Sequence, residues 1–250
     1  MVMKKGFWII LCMFFIPPVT FAGNMKLHYD RPAEYFEEAL VIGNGTMGAT
    51  LYGGVKKDKI SFNDITLWTG EPESENSSPD AFNVIPEIRA LLDNEDYEGA
   101  DKAQYKVQGH YSENYQPLGT LTIEYLDDTA GISDYHRWLD IGNATARTQY
   151  LKDGKLFTSD YFASAPDSVI VIRLKSENKE GIHALLSFDS PLPYSLQVAD
   201  NEISVEGYAA YHSFPVYYKA EDKHRYDPER GIHFKTLVRV LSVDGSVKNR

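Results

Sequence analysis

Apolar and polar residues alternate along most of this chain in short runs separated by turn residues. A period of two marks half-buried strands, and it predicts them over residues 39–42, 47–55, 59–62, 121–126, 144–151, 155–163, 168–175, 183–188, 202–206 and 232–243. The clearest turn is Lys152-Asp153-Gly154-Lys155, an Asp-Gly pair between two alternating runs, which is the strongest short-range hairpin signal. One stretch changes period. Ile88, Leu91 and Leu92 share a helical face over 86–92, and after Asp93-Asn94 a second run over 96–107 sets Tyr97, Ala100 and Gln104 at helical spacing. Polar loops are expected over 71–80 and 221–230. The pattern therefore predicts a mainly β protein, a large antiparallel β-sandwich (super-sandwich) with a short helical insertion, a helix pair packed on the sandwich.

The two ends depart from this rhythm. Lys4 and Lys5, an apolar run from Phe7 to Ile16 and the small-x-small triplet Thr20-Phe21-Ala22 are the parts of a secretory signal. The apolar run is short for a bilayer and Pro17-Pro18 breaks it, so 1–22 is expected to be a removed leader and no stable membrane span. The sandwich then occupies 23–250. At the other end, residues 238–243 look like a strand, Asp244-Gly245 like its turn, and Ser246-Val247 like the start of a return strand. That half-finished hairpin leads to the expectation that the domain is truncated at its C-terminus.

Composition narrows the partners. Cys12 is the sole cysteine and lies in the leader, so the exported chain carries no thiol or disulfide chemistry and must be held by an apolar core. The net charge is −11, and loss of Lys4 and Lys5 makes it more negative. A strongly acidic surface argues against nucleic acid and anionic membrane. The 17 tyrosines, 12 phenylalanines and 3 tryptophans suit strands, and they also suit stacking on sugars. None of the histidines has ligand spacing, so neither a metal site nor a cofactor is expected. The adjacent acid pairs Glu37-Glu38, Asp127-Asp128 and Glu221-Asp222 point apart in extended segments and are expected to be solvated rather than catalytic.

Two glycine-bearing segments carry more specific information. Ile42-Gly43-Asn44-Gly45-Thr46-Met47-Gly48 lacks the following helix and the lysine of a phosphate-cradling loop, and is expected to be a tight turn between strands. Downstream stand Asn63-Asp64-Ile65-Thr66-Leu67-Trp68-Thr69-Gly70, Pro86-Glu87-Ile88-Arg89 and Tyr115-Gln116-Pro117-Leu118-Gly119-Thr120-Leu121. With Arg31-Pro32-Ala33, Glu38-Ala39-Leu40, Trp138-Leu139-Asp140 and the run from Tyr161 to Asp167, these motifs resemble the amino-terminal domain of glycoside hydrolase family 95. Its best-known members are α-L-fucosidases. The resemblance covers most of the chain from Leu27 to Leu174. Asp64-Ile65 stands where the family usually has Glu-Asp, Thr46-Met47 where Arg and Leu are common, and Thr120 where Asp is common.

The resemblance implies a non-catalytic domain. Such enzymes cleave glycosides with two carboxyl groups, carried in a helical (α/α)6 barrel that follows the sandwich, and no barrel pattern occurs in these 250 residues. No catalytic residue is therefore assigned, and the chain alone is expected to be inactive. Its implied partners are the barrel of the same enzyme and, through that barrel, a fucosylated glycan. Trp68, on a loop between a strand and a polar linker, is expected first of all to pack in the core; stacking on a sugar or packing against the barrel is the functional role it also suits. Asn44, Asn63, His110, Tyr115 and Gln116 fall on predicted loops in the resembling segments and are candidates for substrate binding or the barrel interface. The rival reading is a free-standing carbohydrate-binding or interaction module. In either case the protein is expected to be exported, to periplasm, cell surface or medium.

Overall fold

The computed structural model describes residues 25–72, 80–109, 112–241 and 245–248. The expected leader, His110, most of the predicted loop 71–80 and the predicted turn after residue 241 lie outside the described residues in whole or part. In chain order the elements are β1 (Lys26–Tyr29), β2 (Leu40–Gly43), β3 (Met47–Leu51), β4 (Lys57–Asp64), α1 (Ala81–Asp93), α2 (Tyr97–Gln104), β5 (Gly119–Tyr125) and β6 (Ile132–Asp140). There follow β7 (Thr145–Lys152), β8 (Lys155–Ser164), β9 (Val169–Ser176), β10 (Ala184–Asp189), β11 (Tyr194–Ala199) and β12 (Glu202–Tyr208). The short strands β13 (His212–Ser213) and β14 (His224–Arg225) and then β15 (His233–Arg239) complete the fold.

Two five-stranded antiparallel sheets, ordered β1-β6-β7-β8-β9 and β10-β5-β4-β3-β2, face each other. A three-stranded sheet, β11-β12-β15, adds Ile203 and Val205 to the same core, and β13-β14 forms a small ribbon. The alternation in sequence is the cause. In β5 Leu121, Ile123 and Tyr125 turn inward while Thr120, Thr122 and Glu124 turn outward. They meet Leu51 and Ile60 of their own sheet and Ala146, Tyr150, Phe157 and Tyr161 of the facing one. Each large apolar side chain so buried stabilises the fold by about 1.5–3 kcal/mol. Asp153 (φ 51°) and Gly154 (φ 75°) both take the left-handed conformation, as a two-residue hairpin of the primed type demands, and close β7 on β8 with Lys152 opposite Lys155.

Three predictions need correction. Helix α1 begins at Ala81, not Pro86, so the proline lies inside it. Its missing N–H leaves the carbonyl of Phe82 without a helical partner, on a turn where Phe82 is 84% exposed. The buried residues of the helix pair, Val84, Ala100 and Ala103, belong to neither of the protein's apolar clusters. The pair thus packs chiefly on itself rather than on the sandwich. Strand β15 stops at Arg239, short of the predicted residue 243, and Leu241 is exposed.

Two buried polar groups shape the sandwich. Arg137 of β6 is 1% exposed, donates from Nε to the Arg31 carbonyl and from Nη1 to the Glu38 carbonyl (2.8 Å each), and covers the Tyr29 ring at 4.1 Å. Asp58 of β4, equally buried, accepts from the Gly54 N–H (2.9 Å) and from the Tyr161 hydroxyl (2.7 Å). Burial pushes its carboxyl up to about 6, against these hydrogen bonds, which pull it down. Between them Gly53 holds φ 68°, and its carbonyl accepts from the Tyr135 hydroxyl at 2.6 Å. A Cβ there would stand 2.6 Å from the Tyr135 oxygen and 2.8 Å from Thr148 Oγ1. Gly53→Ala is expected to cost roughly 2–4 kcal/mol, from left-handed strain plus overpacking, read as a lower urea midpoint with an unchanged m-value.

Candidate functional site

One end of the molecule gathers the segments singled out in the sequence. Beyond β4 the chain turns on Asp64, whose Oδ1 accepts from the N–H (2.9 Å) and hydroxyl (2.6 Å) of Thr66. The Leu67 N–H closes on the Asp64 carbonyl. Leu67 is thereby driven into a second apolar cluster with Leu192 and Ala209, and Trp68 is turned the other way. Trp68 is 43% exposed, so the core packing expected of the indole does not hold; Leu67 takes that role. The indole N–H donates to the Ile65 carbonyl (3.0 Å), which fixes the ring. An isolated bridge pairs Trp68 with Tyr115, itself 44% exposed, and the two rings lie 5.4 Å apart, inclined at 55°. Desolvation, and then the Asp64 charge, raise the Tyr115 hydroxyl above its ordinary value.

The other candidates lie beneath or beside this pair. Asn63 is the penultimate residue of β4 rather than a loop residue, and its Oδ1 accepts from the Leu118 N–H (3.2 Å), tying the 115–118 segment to the sheet. Gln116 is buried, and its N–H bonds the Leu67 carbonyl at 2.9 Å. Asn44 organises the β2–β3 turn, accepting from the N–H groups of Thr46 (3.0 Å) and Met47 (2.8 Å) and donating to the Ser164 carbonyl (2.9 Å). The Thr46 carbonyl of that turn accepts from the Ile65 N–H, so turn and loop adjoin. Trp68 and Tyr115 thus form the exposed surface, while Asn44, Asn63 and Gln116 hold the backbone that presents it. His110 lies outside the described residues.

A polar clasp stands behind the aromatic pair. Glu113 Oε2 accepts from the Thr69 hydroxyl in a short contact and from the Ser213 N–H at 3.0 Å, while Oε1 meets His212 Nδ1 at 2.7 Å. Asn114 donates from Nδ2 to the Ser213 carbonyl (3.1 Å), and the Ser213 hydroxyl pairs with His224 Nδ1 (2.8 Å). The Ser–His geometry is tempting as a nucleophile and base. Ser213 is 1% exposed, however, and no substrate can reach its hydroxyl. The clasp instead joins loop 69–71 and segment 113–116 to the 209–233 region, helped by the Gly70 N–H on the Ala210 carbonyl and by an Arg230–Glu71 ion pair. Glu113 and Asn114 lie 99 or 100 residues from His212 and Ser213, and no local spacing in the sequence signals the clasp. Beyond it the aromatic surface continues, with Phe214 edge-on to His212 (4.5 Å) and stacked on Tyr218 (4.8 Å).

Two of the adjacent acids, Glu38 and Asp128, are held as carboxylates by their neighbours. Glu38 is held below the usual carboxylate range by the Glu34 N–H and by Arg31. A hydrogen bond from Lys152 does the same for Asp128. Among the described residues no group of three potential ligands is placed to hold a metal ion, and no helix is long and apolar enough to cross a membrane.

The described residues thus form an antiparallel β-sandwich that carries an exposed aromatic pair on a braced end. The profile of the family described as "Glycosyl hydrolase family 65, N-terminal domain" matches residues 27–250, and the chain belongs to that family. It is similar to alpha-L-fucosidase 2 of Arabidopsis thaliana, with 30% identity over 90% of the chain and 28% of that protein. It is also similar to a probable alpha-fucosidase A of Aspergillus niger, with 30% identity over 67% of the chain and 22% of the relative. A probable alpha-fucosidase A of Aspergillus oryzae is 27% identical over 56% of the chain and 20% of its own length. The chain therefore spans under a third of the curated relatives it matches.

Proposed function

We propose that this chain is the amino-terminal, non-catalytic β-sandwich of an exported α-L-fucosidase-like glycoside hydrolase of the family 95 kind. Its role is architectural. In the complete enzyme it buttresses a catalytic (α/α)6 barrel that hydrolyses terminal α-L-fucosides, and Trp68 and Tyr115 form the face that meets the barrel or the entrance to its pocket. The observation that supports the reading is the similarity to alpha-L-fucosidase 2 of Arabidopsis thaliana over 90% of the chain but only 28% of that protein. A half-exposed Trp–Tyr pair, locked by the indole hydrogen bond, supports the docking face, because aromatic residues are enriched where interfaces are buried. The residues at 1–22 support export.

The direct test is release of L-fucose from an aryl α-L-fucoside, by the 250-residue chain and by the same chain joined in frame to the coding sequence downstream of Arg250. The expected result is no turnover by the first and turnover by the second; turnover by the 250 residues alone overturns the reading. A second prediction concerns Trp68→Ala. In the isolated chain it is expected to cost only about 1 kcal/mol, the scale of one exposed aromatic pair, measured by urea unfolding. In the joined protein the same change lowers thermal stability further, by removing an interface contact. Equal losses in the two contexts contradict a docking role.

A further inference from the structure

The helical insertion starts and ends at the Trp68–Tyr115 end of the sandwich. The chain leaves after Glu71, which Arg230 holds, and returns at Glu113 and Asn114, whose carbonyl accepts from the Thr69 N–H at 2.8 Å. Helix α1 carries two apolar stripes. Val84, Ile88 and Leu91, at spacings of four and three, are the sheltered stripe of a helix that packs on α2. Phe82, Ile85, Arg89 and Leu92, at spacings of three, four and three, form the second, about a third of a turn round the helix. Phe82 is 84% exposed, Ile85 39% and Leu92 46%, and Arg89 stands exposed between them. Glu87 is taken by Lys106 (3.4 Å), and Arg89 makes no ion pair among the described residues. A surface helix of a globular domain ordinarily turns one apolar stripe inward and keeps its other face polar. Among the described residues nothing covers the second stripe of α1.

We infer that this stripe is a docking seam for one amphipathic helix of the catalytic barrel, a helix with apolar residues at the same spacing and a carboxylate opposite Arg89. The spacing over residues 82–92, about 15 Å of helix, is that of a seam between two packed helices rather than of contact with a sugar. Docking takes Arg89 out of water. A buried guanidinium without a counter-charge is strongly disfavoured, so the occupant supplies the carboxylate. A second copy of this chain does not, because its own stripe holds an arginine at that position and no acid. An anionic membrane is opposed by the net charge of −11. The seam grows from the same end that presents Trp68 and Tyr115, so a single helical body meets both. The inference rests on the proposed barrel and adds to it a second surface and the charge of its partner.

Cys12 is the sole cysteine of the 250 residues, so Ile85→Cys places one new thiol on the seam. Its alkylation by iodoacetamide is followed by mass spectrometry of the modified peptide, in the 250-residue chain and in the chain joined in frame to the sequence downstream of Arg250. Asn83→Cys, outside both stripes, is the control. Alkylation at Ile85→Cys is expected to be roughly tenfold slower or more in the joined protein, with no such change at Asn83→Cys. Adding Phe82→Ser/Leu92→Ser, or Arg89→Glu alone, to Ile85→Cys is expected to restore the fast rate, whereas Arg89→Lys keeps the protection. Equal rates in the two proteins overturn the inference, as does protection that survives both Phe82→Ser/Leu92→Ser and Arg89→Glu. Protection in the 250-residue chain that grows with its concentration also overturns it and makes the occupant a second copy. Release of L-fucose by the joined protein separates the two proposals. Turnover with an open seam overturns the docking inference alone, and a protected seam without turnover supports the inference and overturns the fucosidase reading.

Discussion

Replacing Asp58 by asparagine is expected to stabilise the protein at pH 7 by up to about 3 kcal/mol and to add almost nothing at pH 4. Asp58 is enclosed between the sheets with no cation beside it, and desolvation lifts its carboxyl from 3.8 to about 6. The folded state therefore binds the proton more tightly than the unfolded chain. Stability from this group is fully present below pH 4, declines as pH rises from about 4 to 6, and is absent above. This is opposite to the usual carboxylate. An asparagine keeps the contacts without the charge: its Oδ1 accepts from the Gly54 N–H, and its amide donates to the Tyr161 hydroxyl. Glu38, Glu71 and Asp140 are all shifted downward, and they give the wild type an opposing slope. The informative quantity is therefore the difference between variant and wild type, from urea unfolding at several pH values. A difference that stays flat between pH 4 and 7 refutes the assignment.

The second large effect is expected at Arg137. Arg137→Ala removes a buried side chain and leaves the Arg31 and Glu38 carbonyls without donors, a loss of about 4 kcal/mol or more. Arg137→Met keeps most of the volume but none of the hydrogen bonds and isolates the polar share, about 2–3 kcal/mol. Denaturant unfolding gives both values, and hydrogen exchange locates the damage, which is expected to centre on residues 26–39. A methionine variant as stable as wild type shows that packing alone matters at this position.

Arg137 also explains what the sequence did not disclose. Strands such as β5, β7 and β12 bury one face, so their apolar alternation is visible in the residues themselves. In β6 the buried position is an arginine, and the bulge between Ser133 and His136 shifts the phase; neither leaves an apolar period. Strands β1 and β11 are exposed at every position and depend on their neighbours for conformation, so nothing in their own pattern requires a strand. The α1 start was misplaced because proline usually opens a helix. At the candidate site the sequence separated Trp68, Tyr115, Gln116, Asn63 and Asn44 from the background, but it could not sort the two exposed rings from the three side chains that brace them. The Glu113–His212–Ser213–His224 clasp was invisible, because it exists only once distant loops have met.

The hydrogen bonds of Arg137 reach 99 and 106 residues back along the chain, whereas β7 and β8 close through two residues. Loop-closure entropy orders such events. The Asp153-Gly154 hairpin is therefore expected to close before β1 docks on β6 and Arg137. Strand β1 finds its partner only across the intervening chain, with Lys26 opposite Asp140, so it is expected to be a late-docking edge that exchanges amide hydrogens faster than β7 and β8.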